Sequence, residues 1–330
     1  MIVTISSLNI ITSTSTMANL FSKAEMDELF KKHPQLQFNP DCCEKIKNFQ
    51  IRDSDIFVIG NARSGNFQSF KHLIVNFSVS IGTTRIQEMV WLIVKNFDYE
   101  GAKVFIDERF PVLEMFAYEL PQRYINPEKF DCHSNSLEFI DAMKDPRFIK
   151  MHLPINLFPE QLLSSENKAK IIFIARNVKD VCVSSYYQMK YLGSIYDGSF
   201  EDFCKLYMCG YAIGSSYWEN LLYFWNRRHE DGILFIKYEE MIADLPAVIK
   251  KVAKFLNKPI PPEKEEKLTK WLHFDSMKSN SALNHENLYN KTGFIRVGKI
   301  GEHKKEMSSE MIEKFDTWIY QSIKDSDYEI

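Results

Sequence analysis

The chain has 330 residues and a formal net charge of -3 at pH 7, and 45% of its residues are hydrophobic and 14% aromatic. This composition excludes a disordered chain and allows a large core, and the dispersed basic residues give no indication of a nucleic-acid partner. The six cysteines form no Cys-x-x-Cys pair, which favours reduced thiols over a zinc site or a disulfide framework.

The first residues carry neither a basic segment nor a convincing cleavage site of a secretory signal, and no apolar run approaches the length of a membrane span. A helical pattern covers residues 18–34. No repeat, linker or composition shift follows. We therefore expect a cytoplasmic protein without a membrane partner, in which residues 1–34 form an N-terminal extension and helix and residues 35–330 form one domain.

The apolar run from Asp55 to Gly60 predicts a buried parallel strand. It leads to Arg63-Ser64-Gly65, and further along Gly82-Thr83-Thr84 opens a segment whose apolar residues suit a buried helix. If these two pieces were joined, backbone N–H groups, hydroxyls, a cation and the positive end of a helix would converge on one phosphate-like group. The pattern therefore indicates an anion-binding loop that is split in two.

A second informative stretch is a short strand that ends in Lys150-Met151-His152 and is stopped by Pro154. At the strand period of two, Lys150 and His152 point to the same side. A histidine can take a proton from a hydroxyl while a lysine neutralises charge on a leaving phosphate. By itself the stretch fits a surface lysine and a packed histidine equally well.

Two further strands are predicted, over Lys170–Ala175 and over the run that begins at Ile233 and reaches Tyr238. Arg176 and Ser184 follow the first of them, where an open α/β sheet binds its ligand. They would offer a cation and a hydroxyl to a second phosphate, or Arg176 would form a routine surface ion pair with Asp180. A basic loop that contains Gly298 precedes the last predicted helix.

Four motifs, in this order, resemble those of the cytosolic sulfotransferases: Arg-Ser-Gly followed by Thr-Thr, Lys-x-His-Leu-Pro, Arg-Asn-x-Lys-Asp-x-x-x-Ser and Arg-x-Gly. Short segments between the motifs resemble those of insect members of the family. The resemblance implies a single α/β domain with a central parallel sheet flanked by helices, related to the P-loop kinases. It also implies transfer of a sulfonate from 3'-phosphoadenosine 5'-phosphosulfate, called the donor below, to a small lipophilic acceptor, without a metal.

The same resemblance implies a role for each matching residue. His152 would be the general base, and Lys150 would steady the bridging oxygen of the donor. The residues that would hold the 5'-phosphosulfate are Arg63, Ser64, Gly65, Thr83 and Thr84. Those that would hold the 3'-phosphate are Arg176, Ser184, Arg296 and the loop at Gly298, and those that would border the adenine are Tyr238 and Phe274.

Some positions depart from the family pattern. Arg63 stands where lysine is usual, which keeps the charge but changes its geometry. Arg85 replaces a tryptophan that stacks on adenine, and a guanidinium could partly substitute by stacking. These changes predict altered donor binding, whereas the catalytic pair is kept.

The most serious departure is the segment Asn66–Gly82, which splits the first motif. We favour the interpretation that it is an untranslated segment read through in frame, because its flanks match the family as if never separated. Alternatively it loops out of a closed cradle, or Leu73–Val79 replaces Ile56–Ile59 as the core strand. With the segment present, we expect weak donor binding and little transfer.

The leading hypothesis is therefore a sulfotransferase for a small lipophilic hydroxyl compound, such as a phenol or alcohol. The alternative is a catalytically impaired binding protein that keeps the fold, and a nucleotide kinase is a distant third because no Gly-x-x-x-x-Gly-Lys-Ser/Thr loop is present. Family members often dimerise through a short segment near the C-terminus with the pattern Lys-x-x-x-Thr-Val-x-x-x-Glu. Here that spacing is occupied by Lys304, Ser308, Ser309 and Glu313, and the loss of the apolar valine predicts a weak homodimer or a monomer.

Overall fold

The computed structural model has a central sheet of four parallel strands, flanked by helices. The residues that the structure describes are 20–32, 40–60, 81–117, 132–191, 196–209, 217–284 and 298–330. The strands lie in the order β2-β1-β3-β4, and their bounds are β1 Ile56–Gly60, β2 Phe148–Met151, β3 Lys170–Ala175 and β4 Ile233–Lys237. The predicted fold class, a single α/β domain around a parallel sheet, is confirmed.

Helices connect and cover these strands. In chain order, the α-helices of the described residues are α1 Lys23–Lys32, α2 Pro40–Lys47, α3 Ile81–Val94, α4 Ile106–Arg109, α5 Ser136–Ala142, α6 Glu160–Leu163, α7 Val178–Tyr191, α8 Phe200–Met208, α9 Tyr217–Asn226, α10 Tyr238–Ala243, α11 Leu245–Phe255, α12 Pro262–Trp271, α13 Phe274–Ser279, α14 Ser281–Asn284, α15 His303–Glu306 and α16 Ser309–Ile323. Short 3₁₀ turns occur at Gly101–Lys103, Leu113–Ala117 and Ile155–Leu157. None of the described helices is long and apolar enough to cross a membrane.

Both faces of the sheet are covered, which explains why its strands are apolar throughout. Phe57 and Ile59 of β1 belong to one buried cluster, together with side chains of α7, α8, α9 and α16. Ile56 and Val58 belong to a second cluster, together with side chains of α3 and α11. Successive strand residues thus point to opposite faces, and each face has its own core.

The register of the strands aligns their carboxyl ends. Ile59 of β1 pairs with Met151 of β2, Gly60 pairs with Ile174 of β3, and Ala175 pairs with Lys237 of β4. The residues that follow β2, β3 and β4, namely His152, Arg176 and Tyr238, therefore lie along one edge of the sheet. This is the edge at which open α/β sheets bind ligands.

A buried ion pair fixes the opposite edge. Arg147 donates from Nε to Oδ1 of Asp55 (2.8 Å) and from Nη2 to Oδ2 (2.6 Å), and both side chains are inaccessible to solvent. The guanidinium also lies 5.2 Å from the ring centre of Phe49. Because Asp55 precedes β1 and Arg147 precedes β2, the pair holds the starts of two neighbouring strands together.

Candidate active site

The end of β1 brings the first turn of α3 and the ring of His152 to one point. A Cβ atom added at Gly60 would lie 2.5 Å from Cγ2 of Thr83 and 3.2 Å from Cε1 of His152. Thr83 and Thr84 are buried in the opening turn of α3. The structure thus places Thr83, one of the predicted phosphosulfate residues, close to the predicted base His152, and the missing side chain of Gly60 makes that approach possible.

Lys150 and His152 are both buried, with 1% and 2% of their surfaces exposed. The reading of Lys150 as a surface lysine is therefore wrong. The backbone N–H of Lys150 donates to the carbonyl of Pro111 (2.9 Å), and Val112 bridges to Lys150 in parallel. The segment around Pro111 thus continues the sheet for one step beyond β2.

Glu114 lies next to this pair, and no motif in the sequence indicates a role for it. Its Oε1 accepts the backbone N–H of His152 (2.8 Å), and only 1% of the residue is exposed. Burial raises the pKa of the Glu114 carboxyl to about 7, although backbone N–H donors and the charge of Lys150 act in the opposite direction. A buried carboxyl that titrates near neutrality is unusual and often belongs to a functional site.

A buried network ties α3 to the segment that carries Glu114. Glu88 of α3 accepts from Nη2 of Arg109 (2.8 Å) and from Nε1 of Trp271 (2.7 Å). Arg109 also donates to the carbonyls of Val104 and Ala102. Helix α3 is consequently joined to the end of α4, five residues before Glu114, and to α12.

A second group of predicted residues meets beyond β3 and β4. The guanidinium of Arg176 lies 4.5 Å from the ring centre of Tyr238, and its Nη2 donates to the carbonyl of Lys299 (3.1 Å). The Tyr238 hydroxyl donates to the carbonyl of Gly298 (3.1 Å). Gly298 has a φ of 65°, and a Cβ there would lie 2.3 Å from the Phe274 ring. Arg176, Tyr238, Phe274 and Gly298 are thus in one place.

Asp180 of α7 forms hydrogen bonds to Gly301 and His303, which follow Gly298 in the chain. Its carboxylate accepts the N–H of Gly301 (2.7 Å), the N–H of His303 (3.1 Å) and Nδ1 of His303 (2.7 Å). Burial would raise the pKa of Asp180, but these hydrogen bonds and the charge of Arg176 lower it below its usual value. Arg176 and Asp180 are both buried rather than a surface pair. Ser184, four residues further along α7, lies half-buried on the same helix face as Asp180.

Arg85 lies between these two groups. It is 3% exposed, and burial lowers the pKa of its guanidinium. Tyr238 feels the positive charge of both Arg176 and Arg85, which oppose the rise in its pKa caused by burial. Among the described residues, Nε of Arg85 and Nε of Arg176 have no hydrogen-bond partner. An anionic ligand would satisfy these buried donors, so the site fits a ligand with negative groups.

Several predicted residues lie outside the described part of the chain: Arg63, Ser64, Gly65, Arg296 and residues 66–80 of the inserted segment. The structure does bear on one interpretation of that segment. Ile56–Gly60 forms strand β1 at the centre of the sheet. The interpretation in which Leu73–Val79 replaces this strand is therefore wrong.

The parallel sheet and the buried cations at its carboxyl edge define an α/β protein whose site fits an anionic ligand. The family model described as "Sulfotransferase domain" matches residues 72–327, and the chain belongs to the sulfotransferase family. The match includes Thr83, Lys150, His152 and Arg176, whereas β1 precedes it. The recognition made from the motifs is confirmed, and the protein is a sulfotransferase enzyme.

Individual relatives agree with this assignment. A luciferin sulfotransferase of Photinus pyralis is 35% identical over 298 residues, which are 86% of this chain and 76% of the relative. Sulfotransferase 1B1 of Canis lupus familiaris is 29% identical over 282 residues, with 83% and 84% covered. Two solved structures of a retinol dehydratase, one with androsterone and one with retinol, each with PAP, are 28% identical with a TM-score of 0.77 and cover 93% of this chain and 96% of theirs.

Proposed function

We propose that the protein moves a sulfonate from 3'-phosphoadenosine 5'-phosphosulfate to a hydroxyl of a small lipophilic acceptor. The observation that carries the proposal is the meeting of Thr83 and His152 at Gly60, with buried Lys150 on the same strand end. This arrangement puts a base and a cation beside an anion-binding helix start. The PAP, retinol and androsterone bound in the structures of the relatives support the donor and the kind of acceptor.

The donor has two anionic ends, and the site offers two cationic regions. We assign the 5'-phosphosulfate to Thr83 and Thr84, together with Arg63, Ser64 and Gly65. Binding there would place the anion at the positive end of α3, beside the N–H groups of its first turn. The donor supplies the sulfonate that is transferred.

The 3'-phosphate belongs, in this proposal, to the group beyond β3 and β4. We assign it to Arg176, Ser184, Arg296 and the Gly298 loop, and we place the adenine between Tyr238 and Phe274. Arg85 lies close enough for its charge to act on Tyr238, so we propose that it also contacts the donor. Interactions this far from the reacting sulfur align it, because remote binding energy holds the reactants in place.

His152 and Lys150 perform the chemistry in this proposal. The imidazole of His152 takes the proton from the acceptor hydroxyl as its oxygen forms the new bond. Lys150 places its positive charge where the bridging oxygen becomes negative. Both side chains are buried, so water is largely excluded and these charges act strongly.

The test is transfer of labelled sulfonate by the purified full chain to a panel of phenols and aliphatic alcohols. The proposal predicts labelled product with at least one lipophilic hydroxyl compound and saturable binding of PAP. Binding of PAP without transfer to any acceptor would favour the alternative of an impaired binding protein. The cytoplasmic location and the weakly dimeric or monomeric state stay predictions.

A further inference from the structure

Glu114 is a buried acid that the reaction as described does not use. Its Oε1 accepts the backbone N–H of His152, and its Oε2 has no hydrogen-bond partner among the described residues. A buried carboxylate with one unsatisfied oxygen is costly, so its position next to the reacting pair calls for an explanation.

Among the described residues, the groups that act on this carboxyl come mainly from β2. Strand β2 supplies Lys150, the charged side chain whose field reaches Glu114, and His152, whose backbone donates to it. Helix α5, which packs on the other side of the Leu113–Ala117 turn, presents the hydroxyl of Ser136, and this hydroxyl bonds Leu113 and Phe116 instead. Helix α2 also packs on this turn and carries the charged residues Asp41, Glu44, Lys45 and Lys47. None of these four is among the groups that shift the pKa of Glu114, whereas Lys150 is.

We propose that Glu114 is a positioning residue that anchors His152 and takes up a proton from solvent when the anionic donor binds beside Lys150. The inference rests on the proposed function for the identity of the donor. In the free protein, the Glu114 carboxylate offsets the buried charge of Lys150. When the donor arrives, two negative groups share one cation, and the carboxylate is the one that can accept a proton.

Protonation of Glu114 has a consequence for transfer. The neutral carboxyl no longer attracts the Lys150 charge, so that charge is directed at the bridging oxygen. Either protonation state retains an oxygen that accepts the His152 N–H, so the base stays in place. Glu114 thus acts through Lys150 and His152 rather than by touching the reacting atoms.

The sign of the pH effect follows from linkage. Burial holds the pKa of Glu114 at about 7 in the free protein, and the donor raises it further. Affinity for the donor is then strongest below this pKa and weakens as the pH rises above it, by up to about tenfold per unit. Above this pKa the Glu114 carboxyl is mostly ionised in the free protein and can take up a proton when the donor binds.

The experiment is calorimetric titration of the full chain with PAP at pH 7.5, in two buffers of different ionisation enthalpy. The variant is Glu114→Gln, whose amide oxygen still accepts the His152 N–H but cannot take up the proton. Phosphate groups on PAP titrate with a pKa of about 6, and this contribution is common to both proteins. Glu108→Gln is the matched control, because Glu108 is exposed on the preceding helix.

On binding PAP, we expect the wild type and Glu108→Gln to take up several tenths of a proton more than Glu114→Gln does. Between pH 6.5 and 8.5, the PAP affinity of Glu114→Gln should vary less than that of the wild type. Equal proton uptake in all three proteins would overturn this inference alone. If PAP does not bind the wild type, the proposed function falls and the inference falls with it.

A second variant tests the anchoring role. Glu114→Ala removes the oxygen that holds the His152 backbone, so we expect its kcat to fall at least tenfold while its PAP affinity at pH 6 stays near that of the wild type. Glu114→Gln should keep most of the wild-type kcat at the same pH. A Glu114→Ala protein with unchanged kcat would overturn the anchoring role. If this variant fails to fold, the comparison with Glu114→Gln still decides the proton uptake.

Discussion

Gly60 offers the sharpest test of the site geometry. The Cβ of Gly60→Ala would lie 2.5 Å from Cγ2 of Thr83 and 3.2 Å from Cε1 of His152. Carbon atoms prefer separations of about 3.5–4.0 Å, so Thr83 or β1 has to move by about 1 Å, whereas the His152 ring has to move by only a few tenths of an ångström. Overpacking of this kind costs about 1–3 kcal/mol of unfolding free energy, and a displacement of about 1 Å in a reacting group costs about 100-fold in rate.

We therefore expect Gly60→Ala to lower kcat by about two orders of magnitude and to weaken PAP binding, with a modest loss of thermal stability. Gly232→Ala is the matched control, since a Cβ there meets only the Ala169 carbonyl oxygen, at the ordinary distance of 3.7 Å. Turnover is followed with labelled donor, PAP affinity by calorimetry and stability by thermal unfolding. Wild-type turnover and affinity in Gly60→Ala would refute the close approach of Thr83 and His152.

Three further predictions address other parts of the structure. Arg147→Met leaves the Asp55 carboxylate buried without its ion-pair partner, so urea denaturation should show a loss of about 3–5 kcal/mol in the free energy of unfolding. The control Arg52→Met, whose ion pairs are exposed, should lose less than about 1 kcal/mol. Equal losses would contradict the role of the buried Arg147–Asp55 pair. Gly298→Ala should weaken PAP binding measured by calorimetry, because the new methyl group meets the Phe274 ring and the φ of 65° disfavours a side chain; unchanged affinity would separate this loop from the nucleotide site. A variant that lacks residues 66–82 should bind PAP more tightly and transfer sulfonate faster than the full chain, and a full chain that equals it would show that the segment belongs to the site.

The strands and the positions of Lys150 and His152 at the end of β2 could be predicted because their signals are local. Lys170–Ala175 is apolar along nearly its whole length and is a strand in the structure with the same bounds. Lys150 and His152 stand out because they are polar side chains in an apolar strand, two residues apart. Arg176 and Tyr238 follow apolar runs directly, so the parallel sheet brings them to the same edge.

The supporting residues could not be predicted, because their partners are distant in sequence. Glu114 meets His152 across 38 positions, and Asp180 meets His303 across 123. Periodicity indicates which face a residue occupies, but it does not indicate which loop packs against that face. The one signal in the sequence is that Glu114 directly follows the apolar residues 110–113. The same pattern is typical of an ordinary surface loop.

The sequence likewise does not predict the close approach of Thr83 and His152 at Gly60. A glycine at the end of a strand predicts a turn, whereas here the structure uses its small size to bring α3 and His152 together. That contact depends on the register of β1 against β2, which is set by packing on both faces of the sheet.

We propose that His152 acts as the base in sulfonate transfer, whereas other residues bind the donor. The direct measurement compares His152→Ala with the wild type in PAP affinity and in turnover with labelled donor and one accepted phenol or alcohol. We expect His152→Ala to bind PAP with nearly the wild-type affinity and its turnover to fall by about 10²–10⁴-fold. Turnover retained in His152→Ala would contradict it.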